Sequence, residues 1–256
     1  MNASGNSKLL FTCPHNGLGE LDELSLRCED HLPYTCKKDP GQKFSNDNDV
    51  YTHQLTDSIV NNILGLSGIK PYEHVAELHR KYVDYNRRYE CAFEPYIIQA
   101  RQKYLDYHIG ILQKIDEMLP ENENGLAFLF DIHGTGREEI EIGDQVYPFE
   151  VLIGTDQQCS IRALTQIDPK VWWDDDKGLI PLLQRKGRKV FPPNKDLEEQ
   201  NHLLDGGYAI QTYGNKKRLA AIQIEVIYPI RKDTTRREEL AEDIADCICQ
   251  FVKPFI

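Results

Sequence analysis

Residues 126–130, LAFLF, are continuously apolar and then give way to Asp131, His133 and three small or turn-forming residues. A strand covered on both faces needs such a run, and Gly134 and Gly136 permit a sharp exit. The pattern therefore predicts a buried strand that stops short of His133 and delivers it to the rim of a sheet. Residues 8–13, KLLFTC, repeat the pattern and end at Pro14-His15-Asn16-Gly17, so a second histidine also follows a strand end. From 18 to 48 the chain is polar, with Pro33, Pro40-Gly41 and little periodicity, which predicts a long loop with one short helix, serving as a lid or wall. The stretch 45–49, SNDND, offers helix N-caps, and Val50, Leu55, Ile59, Ile63 and Leu66 then recur at helical spacing up to Gly65 or Gly68.

Residues 74–78 and 81–85 read as two short strands. Pro95 opens a long helix in which Ile97, Ile98, Tyr104, Leu105, Tyr107, Ile111, Ile115 and Leu119 share a face, and Pro120 closes it. Residues 149–153, 208–210 and 220–227 read as later strands, whereas 174–176 and 187–194 read as exposed connections around a short helix. A last helix over 236–252 carries an apolar stripe of Leu240, Ile244, Cys247, Ile248 and Phe251. This alternation predicts an α/β protein, a single domain over residues 1–256 with a mostly parallel mixed sheet and helices on both faces.

Composition narrows the function. A chain of 256 residues suffices for one sizeable core, and 40% hydrophobic with 28% charged residues is ordinary for a water-soluble protein. Net charge of -11 opposes a nucleic-acid partner, and the basic clusters at Arg87-Arg88, 186–189 and 231–237 read as solvated surface. No window approaches the ~20 apolar residues that span a bilayer, and the first residues lack a secretory pattern, so a cytoplasmic protein without a membrane partner is expected. Seven cysteines, scattered and without a CxxC pair, predict reduced thiols. Oligomeric state leaves no signature in the pattern.

Four polar residues fall at predicted strand ends or helix starts: His15, Asp49, His133 and Glu225, with Asn86-Arg87 as a further pair. Glu225 interrupts the apolar run AAIQIEVI, and an ionised carboxylate inside a strand needs a partner or a site. Two histidines, one carboxylate and an open position suit a catalytic zinc, with a separate carboxylate to accept a proton from water. By spacing alone, a single Asp-x-His also reads as a loop histidine bonded to its neighbours. No HExxH occurs, and the one HxxE, His74 to Glu77, lies in a strand-like piece whose alternation turns its ends apart.

Taken in order, these pieces resemble the N-formylglutamate amidohydrolases, a family with a zinc-peptidase-like, zinc-exopeptidase-like α/β fold. The resemblance runs through Cys13-Pro14-His15-Asn16-Gly17, Asp47-Asn48-Asp49, Tyr82-Val83-Asp84-Tyr85-Asn86-Arg87 and Phe130-Asp131-Ile132-His133. It continues through Leu152-Ile153-Gly154-Thr155, Gly206-Gly207-Tyr208 to Tyr213-Gly214, and Ile222-Gln223-Ile224-Glu225. It implies Zn2+ held by His15, Asp49 and His133, with Glu225 as general base and Arg87, with Asn86, gripping a substrate carboxylate. Asp131 and Asp84 would orient a ligand or the arginine. Glu20, Asp47 and His53 stand as rivals to Asp49, and Arg137 reads either as a solvated loop arginine or as a second anion contact. Tyr208 and Tyr213 read equally as core or site.

Two departures bear on substrate. Gln211 stands where the family commonly has arginine, and Gly134-Thr135-Gly136 replaces a Ser-led turn. The expectation is a zinc-dependent amidohydrolase cleaving a small carboxylate-bearing amide, an N-formyl- or N-acyl-amino acid of the N-formylglutamate type. A zinc carboxypeptidase-like peptidase, or a binding protein that keeps the fold without turnover, are the alternatives.

Overall fold

The apolar runs line up side by side in a computed structural model that describes residues 7–22, 25–37, 44–120, 124–200 and 206–256. The strands are β1 (Leu9–Cys13), β2 (Tyr72–Val75), β3 (Ala127–Thr135), β4 (Glu139–Ile142), β5 (Gln145–Pro148), β6 (Val151–Gly154), β7 (Val190–Phe191) and β8 (Leu219–Ile227). Six of them form one sheet in the order β2-β1-β3-β8-β6-β7, while β4 and β5 make a separate hairpin. Strands β2, β1, β3 and β8 are mutually parallel, and β6 runs antiparallel to β8 with β7 parallel to β6. The sheet is thus mixed and mostly parallel.

Side-chain alternation assigns the two faces. Leu9, Phe11, Phe128, Phe130 and Ile132 point into a core with Leu55, Ile59 and Ile63 of the helix Thr52–Ser67 and Leu240, Ile244 and Ile248 of the helix Thr234–Val252. Leu10, Ala127, Leu129 and Ala221 point the other way, onto Tyr104, Tyr107, Ile111 and Ile115 of the helix Ile98–Met118. Both faces of the central strands are therefore buried, as runs of continuous apolar residues require.

Several segments differ from their predicted state. Strand β3 continues through His133 to Thr135, because β8 pairs with it residue for residue from Ala127↔Leu219 to Thr135↔Ile227, so Gly134 is held extended instead of turning. Residues 81–85 form no strand. Only Val83 bridges to Phe93, and the segment is held by turns. Residues 208–210 belong to the helix Tyr208–Tyr213, whose buried Ala209, Ile210 and Tyr213 follow helical spacing. A strand, β7, occupies part of the stretch read as exposed connection, and the alternating EIEI…QVYP around Gly143-Asp144 is a hairpin the apolar-run criterion passes over.

The polar stretch 18–48 is a wall where it is described. Gly19 N donates to the Glu77 carbonyl (2.9 Å), Arg27 N to that of Lys81 (2.9 Å), and Cys28 N to Glu94 Oε1 (2.9 Å). The expectation of reduced thiols fails at one pair: Cys36 and Cys91 are joined by a disulfide, their Cα atoms 5.8 Å apart, because this wall brings Tyr34–Lys37 against the turn Tyr89–Cys91. Among the described residues no helix is long and apolar enough to cross a membrane.

Candidate metal centre

Three strands and one helix start converge at the carboxyl edge of the parallel strands. His15 lies two residues past β1, and the Asp49 backbone N–H donates to the His15 carbonyl at 2.8 Å, which brings a residue 34 positions away alongside it. Asp49 does not cap the helix that follows. The N-cap is Tyr51, in the left-handed region at φ 70°, and the Asp49 carboxylate is left to turn inward. His133 sits in β3 directly opposite Glu225 of β8.

Asp49 Oδ2 lies 3.2 Å from His15 Nδ1 and 3.3 Å from His133 Nδ1, and it also accepts the Gly134 N–H at 3.1 Å. The ligand atoms of His15, Asp49 and His133 all lie within 4.8 Å of one another, and all three residues are buried. Each imidazole spends its other nitrogen on a second carboxylate. His15 Nε2 is 2.7 Å from Asp84 Oδ1 and His133 Nε2 is 2.9 Å from Asp131 Oδ2. Those carboxylates are themselves fixed, Asp131 by the Thr12 hydroxyl (2.6 Å) and Asp84 by the Asn86 N–H (3.1 Å) and Arg80 Nε (2.9 Å). Histidines oriented this way present Nδ1 to a common point, the arrangement that tunes metal-ligating imidazoles.

The donor set fits a zinc-like ion. Bonds of ~2.0–2.2 Å in tetrahedral array separate ligand atoms by about 3.4 Å, close to the two Nδ1–Oδ2 distances observed. With two nitrogens and one oxygen as donors, a tetrahedral ion would have one position that these three residues do not fill. Charge points the same way. Burial opposes ionising Asp49, yet the two histidines hold its carboxyl well below the usual range. Burial pulls His133 down, but Asp131 and Asp49 more than compensate and lift it to about 10.

A cleft of about 270 Å³ opens over this centre, lined by His15, Asp49, Arg80, Asn86, Arg87, His133, Gly134, Leu152, Gly154, Gly206, Gly207, Gln223 and Glu225. Burial raises the Glu225 carboxyl, with His133 opposing the effect and Asp49 adding to it. Gln223 Nε2 donates to Glu225 Oε1 at 2.6 Å while its oxygen accepts the Gly207 N–H, tying the base candidate to the opposite wall. Buried Asp84 collects Arg80 (2.9 Å), Arg27 (3.6 Å) and Arg87 (3.7 Å), so three guanidiniums surround one carboxylate and its histidine. Burial opposes ionising Asp84, but Arg80, His15, Arg87 and Arg27 together drive its carboxyl well below the usual range.

The structure thus brings together His15, Asp49, His133, Glu225, Asn86 and Arg87. Arg137 is not brought in: it is exposed and outside the cleft lining, because β3 carries the chain past the rim before it turns. Of the rivals to Asp49, Glu20 is an exposed partner of Lys81 (3.0 Å), and His53 faces Asp57 and Glu73. Arg80 and Gln223 were not singled out from sequence. Gln223 is two residues before Glu225, hence on the same strand face, which is a readable signal. Arg80 stands in an aperiodic polar run and leaves none.

Fold and cleft define an α/β protein with a mostly parallel mixed sheet and a buried His-Asp-His cluster at the carboxyl edge of its parallel strands. The chain matches no family model and no curated protein. Among solved structures, it is similar to N-formylglutamate amidohydrolase from Ralstonia eutropha, with TM-score 0.57 and 15% identity over 98% of this chain and 96% of that one. A gene product of Agrobacterium tumefaciens gives TM-score 0.58 and 11% identity over 99% and 94% of the two chains. At these identities the likeness establishes the fold.

Proposed function

We propose that this chain is a metal-dependent hydrolase of a small carboxylate-bearing amide, an N-formyl- or N-acyl-amino acid. The observation that carries the reading is the convergence of His15 Nδ1, His133 Nδ1 and Asp49 Oδ2 on one point of a cleft that also holds Glu225. Bound among these three, a zinc ion supplies a Lewis acid for the amide carbonyl and brings water ionisation to near neutral pH.

The chain's own residues do the rest. Glu225, raised by burial, accepts the proton of the attacking water and returns it to the leaving nitrogen. Gln223 holds the carboxylate by one oxygen and leaves the other to exchange the proton. Asp84 and Asp131 keep each imidazole turned with Nδ1 toward the centre. Arg87, backed by Asp84 and the Asn86 carbonyl (3.0 Å), offers its planar fork to a substrate carboxylate and so sets the register of the scissile bond. Asn86 is committed elsewhere: its side chain approaches His133 Nε2 at 3.4 Å and accepts the Ala209 N–H at 3.2 Å, so it braces the centre instead of binding substrate. The fold likeness to an N-formylglutamate amidohydrolase supports the amide class. Gln211, exposed and facing Gly206, adds no second cation for a dicarboxylate.

The test pairs elemental mass spectrometry with hydrolysis of N-formylglutamate and a panel of N-formyl- and N-acetyl-amino acids. His133→Ala is expected to hold one ion fewer than the wild type and to hydrolyse none of the panel. Equal metal content in the two proteins, or a zinc-loaded wild type inert toward the whole panel, overturns the reading.

A further inference from the structure

Outside the cleft, a second group of metal-ligating side chains gathers on the flank of the sheet. His53 and Asp57 occupy successive turns on one side of the helix Thr52–Ser67, four residues apart, where side chains meet. Glu73 reaches them from β2, at the position paired with Phe11 of β1. His53 Nε2 lies 3.4 Å from Asp57 Oδ1 and 3.7 Å from Glu73 Oε1, and one ligand atom from each of the three residues lies within 4.8 Å of the others.

From these positions we infer a second divalent-cation site, formed by His53 Nε2, Asp57 and Glu73, for a zinc-like ion that imidazole and carboxylate both accept. The two measured separations, 3.4 and 3.7 Å, lie near the ~3.4 Å that ligands at ~2.0–2.2 Å around a tetrahedral ion adopt. Glu73 Oε1 is buried and has no hydrogen-bond partner among the described residues. Unmet acceptors of that kind are uncommon in folded proteins and call for a proton or a cation. His53 and Asp57 remain partly open to solvent at 44% and 48%, which provides an entry path and room for water ligands. An ion there would clip the helix to the edge strand. That helix starts three residues after Asp49, so the clip would also brace the segment that supplies the carboxylate of the first centre.

The experiment is equilibrium dialysis against Zn2+ followed by elemental mass spectrometry, on the full chain and on His133→Ala, His53→Ala and Glu73→Gln. Glu73→Gln is nearly isosteric and guards against loss of fold, which circular dichroism monitors. Two ions are expected in the wild type and one in each variant, and Zn2+ should raise the unfolding temperature of His133→Ala but not of His133→Ala combined with Glu73→Gln. A single ion that His53→Ala and Glu73→Gln retain and His133→Ala loses overturns this site and leaves the catalytic centre standing. A single ion with the opposite pattern supports this site and removes the first. No bound ion in any protein overturns both.

Discussion

Single side chains decide the chemistry. Asp49 serves two imidazoles at once because its carboxylate is released from capping duty, and Gly134 is needed beside it: a Cβ there would lie 2.2 Å from Cζ of buried Arg231, whose guanidinium is bonded to the carbonyls of Val226 and Val50. On the proposed reading, Glu225 is the residue whose removal should separate turnover from binding. Glu225→Gln keeps the shape and the contact region while abolishing proton transfer, so turnover on the active amide should fall by ~10²–10⁴-fold with the metal content unchanged. Loss of the ion alongside activity would instead make Glu225 a ligand. Arg87→Ala should chiefly raise KM for carboxylated substrates and leave kcat for an uncharged amide little altered, measured as a split between the two substrate types.

At the level of elements, the layer beneath the helix Ile98–Met118 carries its own prediction. The His74 ring lies against Gly110, where a Cβ would meet Cε1 at 2.6 Å, and its Nε2 is 2.9 Å from the Tyr107 carbonyl. Gly→Ala in a helix interior ordinarily stabilises by ~1 kcal/mol, but here the ring must leave its slot, so Gly110→Ala should lower the unfolding temperature. An increase would show that the slot is soft. Burial pulls both His74 and His108 down to about 4, with the Lys114 charge contributing at His74. The folded state therefore prefers them neutral, and the unfolded chain, at about 6.5, binds protons first. Their stabilisation is complete above that value and is lost as pH falls from about 6.5 through 4. Urea unfolding across this window should show stability declining with acid, with a shallower slope in His74→Gln and His108→Gln. An unchanged slope in both variants would place the titration elsewhere.

Among the described residues one six-stranded sheet separates two cores, stitched on one side by the wall that precedes Asp49. Closing a loop of 55 residues, Cys36–Cys91 should contribute about 4 kcal/mol by restricting the unfolded chain. Reductant, or Cys36→Ser with Cys91→Ser, is expected to lower the unfolding free energy by that order, and the readout is the denaturant midpoint with and without reductant. Because the wall also supplies Arg27 to Asp84, the same change should loosen the positive flank of the cleft. Coincident midpoints would mean that the wall is held without help from the disulfide.

Sequence by itself determined the elements whose signal is carried by burial. Apolar runs at β1, β3 and β8, and helical stripes at 52–67, 98–118 and 234–252, follow from the need to cover apolar surface, and that need is local in period. It also singled out His15, His133 and Glu225, because a polar residue at the end of or inside an apolar run must have a reason to be there. Tertiary structure decided what depends on distant partners. Full-length pairing with β8 kept Gly134 in strand and left Arg137 outside, packing gave 208–213 to a helix, and proximity of 5.8 Å between Cα atoms joined Cys36 to Cys91. The choice of Asp49 over Glu20, Asp47 or His53 belongs here too. A hydrogen bond from its own N–H to the His15 carbonyl brings it to both histidines, and no spacing along the chain encodes which carboxylate a folded loop will turn inward.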